Sequence, residues 1–215
     1  MKRRHFSTLA AGAALALGLH RIAGAQPETI ARPRDHVAIV PPVPVAAPPG
    51  TVDVVEFFSF ACPYCYALEP PLEAWLARRA PEIRFRRSPV PFQRNFRNFQ
   101  PMYFALEALG LADTLPRRVF DAVHREHQRL DERADIAAFM ARSGVDADAF
   151  MRAFDAADTA AKVAQADRLF EASGAAGVPT LMVQGRFLTS PWMARGEERT
   201  LAVVDALARE IQAGG

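Results

Sequence analysis

Thr51-Val52-Asp53-Val54-Val55-Glu56-Phe57-Phe58-Ser59-Phe60-Ala61-Cys62-Pro63-Tyr64-Cys65 is the stretch on which the fold turns. Its first ten residues are rich in β-branched and aromatic side chains and almost continuously apolar, as in a strand buried on both faces inside a sheet. Ala61, Cys62 and Pro63 end that strand. Pro63 suits the first position of a helix, where the N–H it lacks would have no partner. Cys62 then falls at the helix N-cap and Cys65 lies one turn inside.

Working outward, residues 26–50 hold Pro27, Pro33, Pro41, Pro42, Pro44, Pro48 and Pro49, which excludes helix and suits an extended lead-in. His36 to Val40 could form a short edge strand. Downstream, Pro70 and Pro71 predict a kink or restart before Leu72 to Arg79. Ile83 to Val90 reads as the next strand. From Asn95 to Ser173 the apolar residues recur at helical spacing, punctuated by Gly110, Pro116, Gly144 and Gly174. Val178 to Val183 and Arg186 to Thr189 read as strands joined by a Gln184-Gly185 turn, and a last helix spans about Glu197 to Gln212. This order predicts an α/β sheet domain with an all-helical subdomain inserted between strands.

The 215-residue chain is half hydrophobic, enough for one well-filled domain. Its first 25 residues read as an export signal: Lys2, Arg3 and Arg4, an apolar run from Leu9 to Leu19, and Ala23-Gly24-Ala25 at the cleavage position. The run is too short for a bilayer span. Arg3-Arg4-His5-Phe6 resembles a twin-arginine signal, or simply supplies the positive start that any signal needs. Cleavage removes Lys2, Arg3, Arg4 and Arg21 and no acids, turning a formal charge of +2 into −2. The working protein therefore offers no electrostatic footprint for nucleic acid or a membrane surface.

Cys62 and Cys65 are the only two cysteines. An exported protein meets conditions in which disulfides form and persist, yet a bridge across four residues constrains too little chain to explain the pair by stability. No metal site is expected either: His36, His124 and His127 lie far off in sequence, and a structural zinc takes four ligands. Redox chemistry remains. The helix N-terminus favours a Cys62 thiolate, which stabilises the reduced form and makes the disulfide a better oxidant. Cys65, more buried, is the resolving thiol. No cofactor is called for. Phe57, Phe58 and Phe60 read as core, while His124 and His127 read as a solvated helical face.

Glu56-Phe57-Phe58-Ser59-Phe60-Ala61-Cys62-Pro63-Tyr64-Cys65-Tyr66 resembles the active-site segment of the DsbA family of disulfide-introducing proteins, and Gly177-Val178-Pro179-Thr180 resembles that family's cis-proline loop. The resemblance implies a thioredoxin-like domain over residues 51–94 and 175–215, split by a helical subdomain over 95–174. It implies that Val178-Pro179 is cis and lies against the Cys62 sulfur, with Val178 offering main-chain groups to substrate; the residues alone favour a trans Pro179 starting an edge strand. Glu56 resembles the family's buried acid, for which Arg87 on the next strand is a candidate partner; the alternative is an edge-facing carboxylate. Trp192 and Met193 line an apolar groove or pack in the core. Val at position 178 resembles the oxidase branch of the family. One departure concerns Tyr64, where the best-known motif has His: a neutral Tyr cannot add positive charge beside the thiolate, which predicts a weaker oxidant.

The implied function is a monomeric periplasmic oxidase. Its substrates would be unfolded exported proteins with free cysteines, and its reoxidant a quinone-linked membrane protein of the DsbB type. The rivals are an isomerase or a dedicated reductase of the same fold, and a non-catalytic client- or metal-binding module. The isomerases carry a dimerisation domain for which residues 26–50 are too few.

Overall fold

The computed structural model describes residues 34–91 and 97–214. The expected export signal and the first part of the proline-rich lead-in lie outside these residues. Five strands form one mixed sheet: β1 (Val37–Ala38), β2 (Val52–Phe58), β3 (Ile83–Pro89), β4 (Thr180–Val183) and β5 (Phe187–Thr189), in the order β1-β5-β4-β2-β3. Only β2 and β3 run parallel, with Glu56 opposite Arg87; the other neighbours are antiparallel. Every residue of β2 is buried, as its unbroken apolar pattern predicts.

Side chains alternate along β2 and feed two cores. Val52 and Val54 pack with Leu68, Leu72 and Trp75 of α1 (Pro63–Arg78) and Leu201, Val204 and Leu207 of α8 (Glu197–Ala213). Val55 and Phe57 face the other way, against Leu169 and Phe170 of α6 (Ala157–Ser173) and Val43 of the lead-in. Helices thus cover both faces of the sheet.

The helical run between β3 and β4 comprises α2 (Phe99–Ala108), α3 (Pro116–His124), α4 (Arg133–Arg142), α5 (Ala147–Phe154) and α6. Gly174 caps α6 in the left-handed conformation at φ 69°, and Pro116 opens α3. Met102, Phe120, Ile136, Phe139 and Phe150 make the core of this part, and that cluster continues into Phe58, Phe60, Cys62 and Cys65. The insertion therefore packs directly onto the cysteine segment. This is a thioredoxin fold with a helical insertion.

Two details differ from expectation or refine it. The restart expected at Pro70 and Pro71 is absent: α1 runs unbroken through both. Two intrahelical bonds are lost there, but Leu68, Glu69, Leu72 and Trp75 are buried on either side of the prolines, and Trp75 Nε1–H donates to Asp205 of α8 at 2.7 Å. Tertiary packing outweighs the local break. The β4–β5 turn has Gln184 at φ 51° and Gly185 at φ 62° in its centre, closed by Arg186 N–H donating to Val183 O at 2.9 Å, with Val183 and Phe187 the last paired residues. Gly185 also accepts Val43 N–H at 2.8 Å, and a Cβ on it would lie 1.9 Å from Val43 O, so the lead-in is strapped across a position that only glycine fits.

Candidate active site

The site begins where β2 ends. Cys62 N–H donates to Ser59 O at 3.0 Å, closing a tight turn through Phe60 and Ala61, and the chain enters α1 with Cys62 as N-cap and Pro63 at the first helical position. The Cys62 sulfur accepts the Cys65 N–H at 3.4 Å, and its thiol donates to Val178 O at 3.4 Å. Both cysteines are free and buried. Val178-Pro179 is cis, which settles the open alternative at Pro179.

Environment separates the two thiols. Cys62 is brought down to about 7, first by the hydrogen bond from the Cys65 thiol and then by the Cys65 and Tyr64 backbone N–H groups, against the opposing effects of burial and Glu56. Cys65 is pushed up, mainly by burial and then by its bond to Cys62. One sulfur is thus ready to ionise near neutrality while its neighbour keeps its proton.

Below them lies a buried charge cluster. Glu56 is fully buried, not edge-facing, and its Oε2 accepts Arg87 Nε–H at 3.0 Å. Arg87 Nη2 donates to Glu69 Oε1 at 2.7 Å. One guanidinium therefore serves two buried carboxylates, and burial raises both: Glu56 upward against the pull of Arg87, Glu69 to about 7. Glu56 Oε1 has no hydrogen-bond partner among the described residues. Sequence reading missed Glu69, although it lies four residues after Cys65 on the buried stripe of α1.

Beside the sulfur, Tyr64, Val178, Pro179, Trp192 and Met193 line a groove of about 650 Å³. Trp192 stands 92% exposed and Tyr64 70% exposed, so Trp192 belongs to the groove rather than to the core. Ser190 caps the short helix α7 (Pro191–Ala194) that carries Trp192, accepting Met193 N–H at 3.3 Å. Phe57, Phe58 and Phe60 are core, as expected. His124 is not a solvated side chain: it is half-buried, its ring stacks on Tyr66 at 5.0 Å, and its Nε2 lies 2.9 Å from Phe60 O. No periodicity signals that contact, because its partner is a main-chain carbonyl 64 residues away. His127 is exposed.

A family model for the DSBA-like thioredoxin domain matches residues 53–103 and 95–208. The chain belongs to the DsbA family. Among its relatives, the thiol:disulfide interchange protein DsbA of Burkholderia cepacia is 35% identical over 210 residues, covering 98% of each chain. DsbA of Azotobacter vinelandii is 33% identical over 177 residues, 82% of each. The crystal structure of Pseudomonas aeruginosa DsbA superposes with a TM-score of 0.80 at 32% identity, covering 84% of this chain and 94% of that one. Membership of this family carries thiol:disulfide oxidoreductase activity. Among the described residues no helix is long and apolar enough to cross a membrane.

Proposed function

We propose that this DsbA-family protein introduces disulfides into exported proteins in the periplasm, with Cys62 as the exchanging sulfur and Cys65 as the resolving one. A substrate thiolate attacks Cys62 of the enzyme disulfide; the Cys62–Cys65 bond breaks, a mixed disulfide forms, and Cys65 leaves as a thiolate that takes up a proton. A second substrate thiolate then attacks the substrate sulfur of the mixed disulfide. The substrate gains its bridge, and Cys62 leaves as the thiolate that its helix-end hydrogen bonds favour. The observation that carries this reading is the geometry of the pair: Cys62 caps α1 with its sulfur 3.4 Å from Cys65 N–H and 3.4 Å from Val178 O, while Cys65 lies buried inside the first turn, which lowers the one thiol and raises the other.

Supporting roles follow from position. Pro63 starts α1 and leaves the sulfur at its mouth. Val178 holds its carbonyl against Cys62, and with Pro179 presents main chain to an extended substrate. Glu56, raised by burial, supplies the proton that the buried Cys65 needs. Tyr64 and Trp192 meet the client's apolar side chains. Residues 51–94 and 175–215 form the redox unit and 95–174 its helical cap, acting as a monomer after removal of residues 1–25. The spent dithiol returns two electrons and two protons to a quinone-linked membrane reoxidase of the DsbB type. The test is trapping: in Cys65→Ala the Cys62 thiolate should attack the disulfide of oxidised client proteins, release one client thiolate and accumulate as a mixed disulfide that no Cys65 can resolve, while Cys62→Ala should form none. Equal trapping by the two variants would overturn the assignment.

A further inference from the structure

The Ser59–Cys62 turn has one soft degree of freedom, rotation of its central Phe60–Ala61 peptide plane, because the closing bond from Cys62 N–H to Ser59 O does not hold that peptide. Both ends of the plane are nevertheless held. Ala61 N–H donates to Ser59 Oγ at 3.3 Å. On the other side, Phe60 O lies 2.9 Å from His124 Nε2. A carbonyl only accepts, so Nε2 carries the hydrogen and the contact fixes the tautomer.

The histidine is itself held. Its ring lies nearly parallel to Tyr66, at 13° and 5.0 Å between centroids, and at 27° to Phe120. Tyr66 O–H donates to Asp121 Oδ1 at 2.8 Å, and Arg117 lies over the Tyr66 ring at 5.8 Å. Tyr66 belongs to the first turn of α1, whereas Phe120, Asp121 and His124 belong to α3 of the insertion. A side chain of the helical insertion thus reaches the peptide that sets the approach of the chain to Cys62.

We propose that His124 is a positioning residue for the redox centre: by donating from Nε2 to Phe60 O it fixes the turn that places the Cys62 sulfur at the mouth of α1, and so sustains the thiolate. The inference rests on the reading of Cys62 as the exchanging sulfur. It gives the helical insertion a part in tuning the disulfide besides covering it. Misorienting the turn moves the sulfur off the Cys65 and Tyr64 N–H groups, which are the backbone donors that stabilise its charge.

The experiment compares His124→Phe, which keeps a flat ring against Tyr66 but has no donor, with His124→Gln, which restores a donor. Ser59→Ala removes the opposite restraint on the same peptide. Each full-length, signal-processed protein is checked for folding by circular dichroism, and then Cys62 ionisation is followed by thiolate absorbance and the dithiol by its equilibrium with glutathione. The expected result is a higher Cys62 pKa and an equilibrium constant about threefold to tenfold less oxidising for H124F, the scale of one hydrogen bond. S59A should move both readouts in the same direction, and H124Q should return both towards the parent. H124F matching the parent in both readouts would overturn the proposal, as would H124Q behaving like H124F. Should H124F fail to fold, the decision passes to S59A, whose agreement with the parent in both readouts would likewise overturn it. If the parent itself ionises like free cysteine, the assignment of Cys62 fails, which is a separate outcome from failure of the His124 inference.

Discussion

At the scale of single residues, the protein is a device for making two chemically identical thiols unequal. A sulfur held down to about 7 has a linkage consequence whose sign is fixed. Because the folded value lies below the ordinary 9.0, the thiolate stabilises the folded dithiol form above the unfolded value, and that contribution is lost as pH falls through about 7. The reduced protein should therefore exceed the oxidised one in resistance to urea at pH 8 and lose that advantage towards pH 5; paired unfolding curves at the two pH values check this. Tyr64 offers the second handle. Its backbone N–H donates to the sulfur, whereas its exposed ring adds no charge. Tyr64→His should lower the Cys62 pKa further and shift the glutathione equilibrium towards a stronger oxidant, and an unchanged equilibrium would refute the electrostatic account.

Among the elements, the interface between α1 and β3 carries the least conventional energetics, since Arg87 alone balances Glu56 and Glu69 in a buried place. Glu69 has a folded value of about 7 against an ordinary 4.5, so its ionisation opposes folding: the favourable state exists at low pH and is lost as pH rises through about 7. Glu69→Gln keeps an acceptor for Arg87 without the charge. It should stabilise the protein at pH 8 by roughly 1–3 kcal/mol, with the gain vanishing near pH 5, as read by chemical denaturation. Removing the shared cation is a different matter. Arg87→Met leaves two buried acids without a partner and should cost about 3–5 kcal/mol at neutral pH. On the far side of the sheet, Gly185→Ala would drive a methyl group into Val43 O and unseat the lead-in strap, an expected loss of about 2 kcal/mol or more, visible as a lowered Tm.

Taken whole, the molecule shows which features a sequence can carry. The buried strand, the N-cap cysteine, the helical insertion and the Gln184-Gly185 turn were legible, because each follows from local pattern: continuous apolarity, a proline at a helix start, glycine punctuation. Arg87 was legible only as a candidate partner for Glu56 beside an edge-facing alternative, and the parallel register of β2 and β3 sets the two opposite each other. The unbroken α1 was not legible, since packing around Pro70 and Pro71 decides it from outside the helix. Glu69 and His124 were missed for the same reason: what defines them is a partner brought close only by the fold. The same logic separates chemistry from recognition at the groove. Trp192 sits on α7, outside the Cys62–Val178 contact, and exposes 92% of its surface next to Pro179 and Tyr64. A large apolar side chain so open to water is at a cost that a bound client would relieve. Trp192→Ala should therefore leave the glutathione equilibrium of the dithiol at the parental value, because no group that stabilises the Cys62 thiolate is altered. It should raise the KM for oxidation of a reduced, unfolded protein about tenfold, the scale of one lost aromatic contact. A parallel change in the glutathione equilibrium would instead place Trp192 in the support of the sulfur itself, and an unchanged KM would remove the groove from client binding.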